Sequence, residues 1–262
     1  MNNPYADLRA NLKRPLFVPF VVIGDPNPKE SLAIIKTLIA SGADALELGF
    51  PFSDPTADGP VIQAADVRAL GARTTIDDCF EVLKKVRQDS SIPIGLLVYF
   101  NIILQRGIKK FYEDCKACGV TSVLIADLPT EHMHEVSDVA KRNGILQVCI
   151  VSELTSEERL KTVLMHADGY LYLVSSPSVT GVKDSVLQES IAALITRVRR
   201  NTDPPLFVGF GIHTASDVTS VVKAGADGVI VGSRIVKDIP DLKLIEVACK
   251  ELRSAISFPS SV

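Results

Sequence analysis

Two carboxylates carry the chemistry that can be read in the segment LELGFPFSDPTADGP, residues 46–60. Glu47 sits in an apolar run between Leu46 and Leu48, where a strand would turn alternate side chains to opposite faces. Asp58 follows on a loop that carries Pro51, Pro55 and Pro60 together with the turn formers Ser53 and Asp54. A carboxylate buried in a strand must find partners or take up a proton. A second acid on a stiffened loop can reach the same space from the side. Such a pair suits acid/base catalysis. The structural alternatives are a Glu47 satisfied by a buried partner, and an Asp58 that caps the helical segment GPVIQAADVRAL with Pro60 in its first turn.

A second group of residues suits an anion. Gly209 and Gly211 stand before a helical start at Thr214 and Ser216, and Gly232-Ser233 follows another apolar run. Glycines let backbone N–H groups approach a ligand, and a helix N-terminus favours negative charge, so a phosphate is the expected occupant. The segment SSPSVTGVKD, residues 175–184, is small and polar, as a lid would be. Cys115-x-x-Cys118 has no second cysteine pair and lies at helical spacing, so it is expected to pack. His132 and His134 open a helix after Pro129 and are expected to be exposed. No His/Asp/Glu cluster of metal-ligand type is present, and no metal is expected.

The elements that must position these groups recur regularly. Apolar, β-branched runs occupy residues 16–23, 44–49, 93–100, 121–126, 145–151, 169–174, 205–210 and 227–231. Amphipathic segments with apolar spacing of three and four lie between them. Continuous apolar strands alternating with helices imply a parallel sheet covered by helices, and eight units in about 250 residues match a (β/α)8 barrel. One domain over residues 1–262 is expected, with an extra N-terminal helix, and a doubly wound open sheet is the alternative. The segments SGADALELGF, CGVTSVLIAD and AGADGVIVGS share one plan, a helix ending at Gly followed at once by a strand. Aligned on those glycines, Glu47 falls where the others have Leu124 and Ile230, so a charge replaces a barrel-interior aliphatic. Acids at the C-terminal ends of barrel strands tend to be catalytic. None of the eight runs contains a lysine, so a Schiff-base route is not available and carbon–carbon chemistry would run on carboxylates.

Composition narrows the setting. The chain has 262 residues, 47% of them apolar, and a formal charge of −3, which argues against nucleic acid or an anionic membrane as its main partner. No apolar run approaches the length of a membrane span, and the start MNNPYADLRA lacks signal-peptide features. Five cysteines, mostly inside regular segments, fit a reducing cytoplasm.

These residues resemble one family along essentially the whole chain. FVPFVVIGDP (17–26), LELGFPFSDPTADGPVIQ (46–63), IPIGLLVYFN (92–101), IADLP (125–129), VTG (179–181), GFGI (209–212) and VGS (231–233) match the tryptophan synthase alpha subunit in order and spacing. The resemblance implies retro-aldol cleavage of indole-3-glycerol phosphate to indole and glyceraldehyde 3-phosphate. It implies that Glu47 is the general acid/base, and that Asp58 holds the indole N–H and stabilises positive charge there. It places Phe20, Leu97, Ala126, Ile150 and Tyr172 around the indole, and Gly181, Phe210, Gly211, Gly232 and Ser233 around the phosphate. Thr180 would be the lid residue that orients Asp58. Asp54, Pro55, Asn101 and Pro129 would face a beta subunit in an α2β2 assembly, which would hold the pyridoxal phosphate, leaving no cofactor in this chain. Two departures accompany the match: Pro177-Ser178 before Val-Thr-Gly, expected to stiffen the lid, and Ile102 after Asn101. A stand-alone indole-glycerol phosphate lyase and a non-catalytic activator of the beta subunit are the rival readings. Other phosphate-binding barrels, such as ribulose-phosphate epimerases, share the expected fold but not the paired-acid loop.

Overall fold

The computed structural model describes residues 2–174, 184–200, 202, 204–209 and 211–256. Its strands are β1 (Leu16–Val22), β2 (Leu46–Gly49), β3 (Ile94–Val98), β4 (Ser122–Ile125), β5 (Leu146–Ser152), β6 (Leu171–Val174), β7 (Leu206–Val208) and β8 (Gly228–Val231). They pair in parallel in chain order, and β8 returns to β1, so the sheet closes into a barrel. The helices are α1 (Pro4–Leu12), α2 (Pro28–Ala40), α3 (Pro60–Gly71), α4 (Ile76–Asp89), α5 (Phe100–Arg106), α6 (Ile108–Ala117), α7 (His134–Asn143), α8 (Glu157–His166), α9 (Asp184–Arg199), α10 (Ala215–Lys223), α11 (Ser233–Val236) and α12 (Leu242–Ser254). The expected (β/α)8 barrel with its N-terminal helix is therefore the observed fold, and the open-sheet alternative falls.

Local chemistry sets the helix ends. Asn3 and Asn27 cap α1 and α2 ahead of Pro4 and Pro28, and Thr75 forms a capping box with Asp78 at α4. The three repeated helix ends share one backbone form. Gly42, Gly119 and Gly225 have φ of 96°, 67° and 100°, where a Cβ would be strained. The N–H groups of the next residues, Ala43, Val120 and Ala226, reach back to the carbonyls of Leu38, Cys115 and Val221. This is the bond of a Schellman end, and each delivers the chain straight into a strand.

Strand register fixes which side chains enter the barrel. Glu47 pairs across the sheet with Phe20 and Gly95, Gly95 with Ser122, and Ile150 with Tyr172. Register partners in a parallel sheet share a face, and every second residue follows them. α1 plugs the N-terminal end of the barrel: Tyr5 lies fully buried, its hydroxyl 2.7 Å from Ser122 Oγ and its ring edge-on to Tyr170 and Phe207. Tyr170 and Phe207 stack face to face at 4.2 Å, so aromatic rings fill the lower barrel. A glycine at 228 makes room for them, because a Cβ there would lie 2.6 Å from the Phe207 ring. Gly228→Ala should therefore lower stability by about 1–3 kcal/mol through overpacking. Equilibrium urea unfolding checks this, and an unchanged midpoint would refute it.

Candidate active site

β2 delivers Glu47 into the barrel just above the aromatic layer, and only 1% of the residue is exposed. Its single hydrogen-bond partner among the described residues is Tyr170, whose hydroxyl donates to Oε1 at 2.9 Å. The other oxygen, Oε2, is buried without a partner among the described residues. Burial raises its pKa from the ordinary 4.5 to about 8, the Tyr170 bond working against the rise and the Asp58 charge adding to it. Glu47 is thus a carboxyl that keeps its proton near neutrality yet can lose it.

Asp58 approaches from the loop between β2 and α3. It is not a helix cap: Gly59 occupies the N-cap of α3 and no side chain caps that end. Tyr99, at the end of β3, takes the carboxyl instead, donating to Asp58 Oδ2 at 2.7 Å while accepting the Ala57 N–H at 3.0 Å. Phe52 stacks on Tyr99 with centroids 4.8 Å apart. Burial pushes the Asp58 pKa up and the Tyr99 bond restrains it. Burial also drives the Tyr172 phenol well up, reinforced by the charges of both Glu47 and Asp58.

Phe20, Leu97, Ile150 and Tyr172 fall on the same strand face as Glu47 by register, and Ala126 follows two residues past Leu124 on that face. Phe20 is buried, Leu97 and Ala126 are half-buried, and Ile150 is 37% exposed, so the apolar lining opens towards the strands' C-terminal ends. Tyr172 donates to the Gly209 carbonyl at 3.3 Å. Across the mouth, Gly211 has φ of 73° and Gly232 precedes α11, which no side chain caps, with Ser233 as its first residue. The helix after β7 differs from expectation. Thr214 and Asp217 form a capping box at the N-terminus of α10, which takes the Asp217 N–H and sets an acid at that end. Thr180, Gly181, Phe210, Pro177 and Ser178 lie outside the described residues.

The docking positions line three clefts. Asp54 and Pro55 line a cleft with Phe52, Ser53, Gln63 and Leu70, and Asn101 lines an adjoining cleft that shares Phe52, Ser53 and Leu70. Pro129 lies in another cleft, of about 450 Å³, that also touches Ala126 and Ile150. Asp54, Asn101 and Pro129 are exposed and Pro55 is half-buried. Cys115 and Cys118 are buried thiols, while His132 and His134 stand on the surface. Among the described residues no group of His, Cys, Asp or Glu could hold a metal ion, and no helix is long and apolar enough to cross a membrane.

Sequence reasoning did not single out Tyr99 or Tyr170. Tyr170 had a local signal, since it stands two residues before Tyr172 and so shares its face. Tyr99 had only its place at the end of β3.

Fold and interior acids together place the molecule among the (β/α)8-barrel enzymes. The family model described as tryptophan synthase alpha chain matches residues 6–257, and the chain belongs to that family. It is 50% identical over 220 residues to the tryptophan synthase alpha chain of Methanoregula boonei, covering 84% of this chain and 83% of that one. The Legionella pneumophila alpha subunit superposes with a TM-score of 0.89 at 33% identity, over 98% of this chain and 99% of that one. A chain from the Pyrococcus furiosus α2β2 complex, studied for its mutual activation, superposes at 0.83 with 34% identity over 92% and 98%.

The raised Glu47 pKa has a consequence for stability. Between its ordinary value of 4.5 and about 8 the folded chain holds a proton that the unfolded chain releases, so the stability contributed by this group falls as pH rises. The loss runs at up to about 1.4 kcal/mol per pH unit. Glu47→Gln removes the titration, so its stability relative to wild type should climb from about pH 5 to about pH 8 and then level off. Urea melts of both proteins across that range measure the gap, and a gap independent of pH would contradict the assignment.

Proposed function

We propose that Glu47 and Asp58 are the acids that carry the lyase reaction of the alpha chain, cleavage of indole-3-glycerol phosphate to indole and glyceraldehyde 3-phosphate. The observation that supports this best is the isolation of Glu47: a carboxyl buried in an apolar barrel, held by one phenol, with one oxygen unpartnered. Such a group starts protonated and can deliver its proton to the indole carbon that carries the side chain. That step puts positive charge on the ring nitrogen, where Asp58, steadied by Tyr99, would accept the N–H. Glu47, now a carboxylate, then helps remove the hydroxyl proton of the side chain. The oxygen's electrons form the aldehyde, the carbon–carbon bond breaks, and its electrons return to the ring as indole. The reaction ends with Glu47 protonated again.

Phe20, Leu97, Ala126, Ile150 and Tyr172 would hold the indole against these acids. Gly211, Gly232 and Ser233, with Gly181 and Phe210, would hold the phosphate, and Thr180 would turn Asp58 inward. The end of α11 is the better anion seat of the two late helices, because no side chain caps it whereas Asp217 sets an acid at the end of α10. A beta partner fits the clefts that Asp54, Pro55, Asn101 and Pro129 line, in an α2β2 assembly of cytoplasmic enzyme, and pyridoxal phosphate would belong to that partner. Docking there would act directly on the loop that carries Asp58.

Glu47→Gln should lower indole-3-glycerol phosphate turnover by at least about 100-fold with the fold retained by circular dichroism. Asp58→Asn should cost a comparable factor, and the wild type should be slow alone and rise sharply when beta is added. Wild-type turnover by Glu47→Gln would remove the proposal. Fast turnover without beta would point to a stand-alone lyase.

A further inference from the structure

One buried acid has no part in the chemistry above. Asp66, on α3, is 4% exposed. Its Oδ1 accepts the Phe52 N–H at 3.3 Å, and its Oδ2 is buried without a partner among the described residues. Among the described residues no cation pairs with it: Arg68, two residues along, is engaged by both oxygens of Asp25 at 2.7 Å. Burial raises its pKa to about 7, with the charges of Asp58 and Asp25 adding to the rise. An acid so placed is a poor device for stability, because an apolar residue of similar volume serves a buried site as well or better.

Its geometry gives it another use. Asp66 holds the backbone of Phe52, at the start of the β2–α3 loop. Phe52 stacks on Tyr99, and Tyr99 holds both Ala57 N–H and the Asp58 carboxyl at the other end. Gln63, three residues before Asp66 and so on the same helix face, donates to the Asp58 carbonyl at 2.8 Å. The Arg68–Asp25 pair ties α3 to the loop after β1. α3 therefore grips the acid-bearing loop at both ends from a fixed position.

We propose that Asp66 is a positioning residue for the lyase reaction, anchoring the loop at Phe52 so that Tyr99 and the Asp58 carboxyl are set in place for the substrate. This rests on the reading of Asp58 as the second acid. A small displacement of a catalytic group costs rate far more than binding. The loop anchor lies at the acid side of the mouth, so kcat should respond and KM should not.

The test uses the chain in complex with a beta subunit and indole-3-glycerol phosphate as substrate. Asp66→Leu, which keeps the branching at Cγ but loses the acceptor, should melt at or above the wild-type temperature yet lose about 10- to 100-fold in kcat, with KM within about threefold. Asp66→Asn, which keeps the acceptor, should stay within about threefold of wild-type kcat. In an Asp58→Asn background, Asp66→Leu should add no further loss, because the residue acts through Asp58. Wild-type kcat in Asp66→Leu, or losses that multiply with Asp58→Asn, would overturn the proposal. Should Asp66→Leu fail to fold, Asp66→Ser, whose hydroxyl is too short to reach Phe52, takes its place with the same expectations for rate. An Asp58→Asn single variant of undiminished rate would instead bring down the reading of Asp58, and it would do so with Asp66 intact.

Discussion

The structure turns on one hydrogen bond inside the barrel, from the Tyr170 phenol to Glu47. A fully solvated glutamate would be ionised at neutral pH and unable to donate. A glutamate buried with several donors would also stay ionised, because each bond to the charged form lowers its pKa. One phenol, in an apolar surround, fixes the carboxyl in direction without forcing it to ionise. The rest of the lower barrel serves that balance. Tyr170 is itself held between the rings of Phe207 and Tyr5, and Tyr5 comes from the helix that seals the far end. The plug therefore excludes water from beneath the acid as well as completing the core.

Asp58 is governed by the opposite requirement. It sits at the edge of solvent on a loop, and its usefulness depends on being held. Tyr99 supplies the hold by accepting from the loop backbone and donating to the carboxyl at once. The same loop forms the cleft that Asp54 and Pro55 line. The Asp58 carboxyl and the lining of that cleft thus share a short piece of backbone.

Much of this was legible in the sequence. The eight apolar runs and the Gly-strand repeats specified a barrel, since each repeat is a local motif: a left-handed glycine, a Schellman bond and a strand. The family resemblance placed Phe20, Leu97, Ile150 and Tyr172 around one ligand, and the strand register sets them on the face that carries Glu47. Local patterns also misled in places. The alternative that Asp58 caps the helix while Pro60 opens it holds only in part: Pro60 is the first residue of α3, but Gly59 is its N-cap and the acid is left for Tyr99. Thr214 read as part of an anion-binding helix end, but Asp217 sets a carboxylate there in a capping box.

The division has a physical cause. Alternation and capping depend on neighbours within a few residues, so sequence determined the strands, the helix ends and the face on which each acid lies. The partners that set how those acids ionise are distant in the chain: Tyr170 is 123 residues from Glu47 and Tyr99 is 41 from Asp58. Only barrel closure, with its particular stagger between strands, decides which phenol meets which carboxyl. That is why the acids could be found by reading, while the protonation state of Glu47 and the posture of Asp58 belong to the tertiary structure.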